Sequence, residues 1–131
     1  MGADTIVAID GHMLGKPVDA DDAKRMLRRL SGRTHTVHTA FAIVDRPSNL
    51  TAVEVEATRV TFRVLEADEV DEYVSGGSPM DKAGAYGIQD DYGAVFVSRV
   101  EGCFYNVMGF PLARFFVTLR NFQEQVSGIH A

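Results

Sequence analysis

Two long β-rich segments joined by a short run of turn formers dominate what this chain can become. Thr34 to Val44 and Thr51 to Val64 are dense in Thr, Val, Ile and Phe, and Asp45-Arg46-Pro47-Ser48-Asn49 between them is built of turn formers. They read as two long strands joined by that turn. In the second segment Val53, Val55 and Ala57 share one parity, while Val60, Phe62 and Val64 share the other. A straight strand keeps its apolar side chains on one face, so the switch predicts a bulge or bend near Thr58-Arg59.

The remaining elements follow from shorter signals. Thr5 to Ile9 reads as a short buried strand closed by Asp10-Gly11. Asp19 is a good N-cap for a helix over 20–30, whose apolar face carries Ala20, Ala23, Leu27 and Leu30. Lys24, Arg25, Arg28 and Arg29 make its solvated face, and Ser31-Gly32 stops it. A second helix over 67–75 turns Val70, Tyr73 and Val74 inward and ends at Gly76-Gly77. A glycine-rich stretch, 79–93, precedes a strand over 94–100. Gly109-Phe110-Pro111 then leads into a last helix, where Leu112, Phe115, Phe116, Leu119 and Phe122 form a stripe read as core, with residues 126–131 expected to fray. Helices alternating with long paired strands predict one α/β domain over residues 1–131, with a mixed, partly antiparallel sheet flanked by helices.

Composition removes several function classes. The 131 residues carry 13 Lys and Arg against 18 Asp and Glu, a net charge of −5, so the chain lacks the basic field of a nucleic-acid binder. With Cys103 as the one cysteine no intrachain disulfide can form, and without a secretory segment a cytoplasmic protein is expected. No apolar run is long enough to cross a bilayer, so no membrane partner is expected. Gly2 would suit myristoylation, but Ile6 stands where Ser or Thr is required.

Binding and cleaving a polyphosphate takes cations to neutralise it, a carboxylate to hold a metal or activate water, and polar groups to read the rest of the ligand. The chain offers Asp4 and Thr5 opening the first strand, Lys16 in Leu14-Gly15-Lys16-Pro17, Asp81-Lys82-Ala83-Gly84, and Gln89 in Tyr86-Gly87-Ile88-Gln89. Taken singly each is ordinary: a strand-end acid, solvated lysines, a loop amide. Gly11 to Lys16 is one residue short of a phosphate loop, and Pro17 stands where its Ser or Thr would bind metal. His35 and His38, three apart on a strand, face opposite sides and cannot chelate together, and His12 and His130 have no partners. Cys103 reads as a small packed residue and Asp90-Asp91 as a solvated turn. The residues alone reach an α/β domain with an anion site.

The motifs together go further. Gly2-Ala3-Asp4-Thr5-Ile6-Val7, Leu14-Gly15-Lys16-Pro17, Leu30-Ser31-Gly32-Arg33-Thr34-His35, Asp81 through Gln89, and Glu101-Gly102 followed by Asn106-Val107 and Gly109-Phe110-Pro111-Leu112 appear in order along nearly the whole chain. In that order and spacing they resemble the Maf family of nucleoside triphosphate pyrophosphatases, historically linked to septum formation. The resemblance implies a fold similar to the inosine triphosphate pyrophosphatases, a nucleoside triphosphate substrate, a divalent cation (Mg²⁺ or Mn²⁺) and often a homodimer. It makes Asp4 the proton acceptor. Lys16 and Lys82, with Asp81 beside the latter, fall at the substrate phosphates. Thr5 and Gln89 mark the branch that acts on dTTP and UTP, as opposed to the one that acts on 7-methylguanosine triphosphate.

Three departures stand against the family pattern. Ser78-Pro79 replaces Glu-Pro, Thr39-Ala40 replaces Thr-Gly, and the family's N-terminal segment, with its Ser-Pro-Arg-Arg phosphate loop and first strand, has no counterpart here. The sequence is therefore expected to be either a fragment or a shortened protein. The competing reading is a non-catalytic nucleotide-binding or cell-division protein that keeps the fold without the full site.

Overall fold

The computed structural model describes residues 2–76, 80, 82–88, 93–108 and 110–130. In chain order the elements are β1 (Gly2–Ile9), β2 (His12–Leu14), α1 (Ala20–Leu30), β3 (Thr34–Asp45), β4 (Leu50–Phe62), α2 (Ala67–Ser75), a 3₁₀ turn at Ala83–Ala85, α3 (Gly93–Phe96), β5 (Val97–Glu101), α4 (Phe104–Val107) and α5 (Leu112–His130). The strands form one sheet in the order β2-β1-β3-β4-β5. This is the α/β architecture expected from the sequence, with every described pairing antiparallel. β1 turns into β2 through Asp10 and Gly11, at φ 53° and 76°, the left-handed pair that a two-residue hairpin requires.

The long hairpin pairs more regularly than its sequence suggests. β3 and β4 stay in register without interruption from Thr34 opposite Thr61 to Asp45 opposite Leu50, so there is no bulge between them near Thr58-Arg59. Thr58, Val60 and Phe62 are buried on one face, whereas Val53 and Val55 are 64% and 52% exposed on the other. The change of apolar parity reflects valines facing outward along an unbroken ladder. The shift in β4 register falls instead at Thr61/Phe62, against β5.

All the described helical packing lies on one face of the sheet. α1 is capped by Asp19, which accepts from the Asp22 amide at 2.7 Å. It buries Ala23, Leu27 and Leu30 against Val7, Val37, Val60 and Phe62, and α2 adds Val70, Tyr73 and Val74 to the same cluster. Ala20, expected on that face, is exposed. Burying a side chain of this kind stabilises a fold by about 1.5–3 kcal/mol, so this cluster is the main anchor of the domain. A second cluster of Phe41, Ile43 and Phe122, with Phe115 and Leu119 against it, lies further along the same face under α5.

Two elements differ from the sequence reading. The segment read as a strand over 94–100 begins as the short helix α3 and becomes extended only at Val97. α5 runs from Leu112 to His130. Its apolar stripe is split, since Phe115, Leu119 and Phe122 pack inward while Leu112 and Phe116 are 53% and 64% exposed. Adjacent helical positions stand about 100° apart, so Phe115 and Phe116 cannot both face one sheet.

Candidate active site

Between the two clusters the buried face of β3 carries a polar residue. Thr39, wholly buried, sits between Val37 and Phe41, and its hydroxyl meets that of its register partner Thr5 at 2.9 Å. Thr5 and Val37 line a cleft of about 290 Å³, at the lower end of the range usual for small-molecule sites. β2 pairs only with Val7 to Ile9, so among the described residues β1 from Gly2 to Ile6 has no strand partner on that side. Asp4, exposed, lines the cleft from this open stretch. Lys16 enters just after β2 and Lys82 just before the 3₁₀ turn. The lining also includes the apolar residues Val37, Val107 and Met108.

The two lysines converge because their segments are tied together. The Gly84 amide donates to the Gly15 carbonyl at 3.1 Å. Gly84 has φ +72°, and a Cβ there would stand 2.9 Å from Cγ2 of Val7, so glycine is required both for the conformation and for the approach to β1. The Gly87 amide donates to the Tyr73 hydroxyl at 3.0 Å, while the Tyr86 hydroxyl lies 2.7 Å from His35 Nε2. Burial drives the His35 pKa down to about 4 and pushes that of the Tyr86 phenol up, so at neutral pH both are uncharged and the pair is a structural tether. His35 is buried and His38 lies on the other face of β3, which agrees with the sequence argument against a shared metal.

Of the six residues singled out in the sequence, the structure therefore brings Asp4, Thr5, Lys16 and Lys82 to one cleft. Asp81 and Gln89 lie outside the described residues, as does Asp90-Asp91. Among the described residues no group of three His, Cys, Asp or Glu side chains could hold a metal unaided. A hard cation such as Mg²⁺ is commonly bound by one or two carboxylates together with substrate phosphates, and Asp4 at the cleft fits that mode of binding.

The profile of the Maf-like protein family matches residues 1–122. The chain belongs to the Maf-like family. Its relatives include proteins named dTTP/UTP pyrophosphatase. That of Chlorobium phaeovibrioides is 48% identical over 95% of this chain and 63% of its own length. That of Syntrophomonas wolfei is 54% identical over 87% and 60%, and that of Salinibacter ruber 49% identical over 92% and 59%. This Maf-like chain thus spans about three-fifths of the length of the curated relatives it matches.

The Maf-like cleft also contains residues to which the sequence reading assigned no role. Thr39, buried beneath the cleft residue Thr5, entered that reading only as a departure from a motif, although a threonine on the buried parity of an apolar strand is itself a signal. Val107 was quoted only as part of a motif, and Met108 gave no signal in the sequence.

Proposed function

We propose that this chain carries the nucleotide cleft of a pyrophosphatase acting on dTTP and UTP. The observation that supports this most directly is the convergence of Asp4, Thr5, Lys16 and Lys82 on one cleft, in a chain whose relatives bear that name. In this reading water attacks the α-phosphorus and the bond from that phosphorus to the α–β bridging oxygen breaks. The nucleoside monophosphate and pyrophosphate result. Asp4 accepts the water proton, a role for which a carboxylate at the cleft edge is suited. Lys16 and Lys82 stabilise the charge on the phosphates. Thr5 reads the pyrimidine, and Asp81 and Gln89 are assigned to the substrate on motif resemblance alone. A divalent cation, Mg²⁺ or Mn²⁺, held by Asp4 together with substrate oxygens would offset further phosphate charge when bound. A cytoplasmic setting and a homodimer complete the proposal.

The test is pyrophosphate release from dTTP, UTP and 7-methylguanosine triphosphate in Mg²⁺, with this chain and with a form extended to the length of its relatives. The extended form is expected to prefer dTTP and UTP and to release pyrophosphate. Orthophosphate alone, or equal turnover of all three nucleotides, would sink the assignment. Tight nucleotide binding without turnover in both forms would favour the non-catalytic reading, a nucleotide-binding or septum-formation protein.

A further inference from the structure

Asn106 is wholly buried, and its carboxamide bridges several segments of the chain. Its Nδ2 lies 3.1 Å from the Val37 carbonyl on β3, 3.1 Å from the Glu56 carbonyl on β4 and 3.0 Å from Oγ1 of Thr58. The Thr58 hydroxyl in turn donates to the Cys103 carbonyl at 3.1 Å, so at Asn106 it can only accept. Three acceptors around Nδ2 fix the orientation of the amide. Gly102 allows the approach: with φ +124°, a Cβ there would stand 3.1 Å from Oγ1 of Thr58 and 3.2 Å from its Cα. The segment is therefore pinned to the centre of the long hairpin, and the two residues after Asn106, Val107 and Met108, line the cleft.

The cleft lining mixes Asp4, Lys16 and Lys82 with Val37, Val107 and Met108, and the two lysines belong to segments held at Gly15 and at Val7 of β1, whereas Val107 and Met108 follow Asn106, which is held at β3 and β4. A nucleotide is itself divided, with an anionic polyphosphate at one end and a flat, largely apolar base face at the other. We propose that Val107 and Met108 form the wall against which the nucleobase packs, and that Asn106 is the positioning residue that holds this wall in place. The inference rests on the reading of the cleft as a nucleotide site and adds to it which residues receive the base. Met108 is 40% exposed, so it has surface left for a ligand to cover, whereas Asn106 has none and acts only through its neighbours.

The experiment separates the base from the phosphates. Calorimetric titrations in Mg²⁺ compare the α,β-imido analogue of dUTP, which resists hydrolysis, with inorganic tripolyphosphate, which has no base. Unaltered chain, Met108→Ala, Asn106→Asp and Lys16→Ala are each measured. Truncating an apolar contact of this kind costs roughly tenfold or more in affinity, so Met108→Ala should weaken the nucleotide by at least about that factor while tripolyphosphate binding stays within about twofold. Asn106→Asp, which loses both donors and sets a carboxylate against two carbonyls, should show the same split, whereas general unfolding would abolish both ligands. Lys16→Ala should weaken both. Met108→Ala has little structural role, so it decides the matter if Asn106→Asp does not fold. Equal losses for both ligands in Met108→Ala, or unchanged nucleotide binding, overturn the wall while leaving the phosphate site intact. An unaltered chain that binds neither ligand overturns both the wall and the nucleotide reading beneath it.

Discussion

Asp4 and Thr5 are neighbours on β1, and strand alternation sends neighbouring side chains to opposite faces. They serve one cleft because β1 continues past the end of β2. If Asp4 is the proton acceptor, Asp4→Asn in a form that turns over dTTP should lower kcat by about 10²- to 10⁴-fold with melting temperature unchanged. Full activity in that variant would remove Asp4 from the chemistry. His35 supports a prediction about stability. Its pKa is near the ordinary 6.5 when unfolded and about 4 when folded, because burial opposes the charged ring. Between those values the unfolded chain binds a proton that the folded chain does not, so stability is complete above about pH 6.5 and falls as the pH drops toward 4. The expected loss is about 3 kcal/mol. Urea unfolding at intervals from pH 7 to about pH 4 should show this slope in the unaltered chain and not in His35→Gln.

At the scale of elements, the cleft depends on the turn around 82–88 being locked against β1 and the Gly15 carbonyl. Gly84→Ala would put a methyl group 2.9 Å from Val7 Cγ2 on a left-handed backbone. It should cost about 1–3 kcal/mol in urea unfolding and weaken tripolyphosphate binding too, since Lys82 moves with the turn. Gly15 offers a control, as nothing stands within 4 Å of a Cβ there. Gly15→Ala should leave stability nearly unchanged. A Gly84→Ala variant as stable as Gly15→Ala would show that the approach to Val7 relaxes freely.

For the whole molecule, the one-sided packing has a consequence. Val44, Val53 and Val55 lie exposed on the uncovered face of the hairpin, and Leu112, Phe116 and Val117 are exposed on α5. Apolar surface is worth about 25 cal/mol per Å², so a few hundred Å² left in water is comparable to the total stability of a domain. This chain on its own is therefore expected to self-associate or to melt at low temperature, and sedimentation at rising concentration should show mass above the monomer. Val53→Lys with Phe116→Lys should reduce that association. A monomer with a sharp, high melting transition would mean that these faces need no cover. Among the described residues no helix is long and apolar enough to cross a membrane.

The sequence alone determined the elements whose signals are local. Asp19 as cap, the 3.6-residue spacing of Ala23, Leu27 and Leu30, and the short Asp45–Asn49 connection required α1 and two long joined strands whatever surrounded them. The motifs around Asp4, Lys16 and Lys82 identified the family. What the sequence could not decide were matters of which face is covered. Val53 and Val60 are equally apolar in sequence, but a sheet packed on one side buries only one parity, so the expected bulge was a misreading of outward valines. Phe115 and Phe116 are the same residue type, and only the position of α5 over Phe41 sends one inward and leaves the other in solvent. Asn106 acquires its place from Val37, Glu56 and Thr58, each tens of residues away, because hydrogen-bond partners so distant meet only when the hairpin and α4 have already packed.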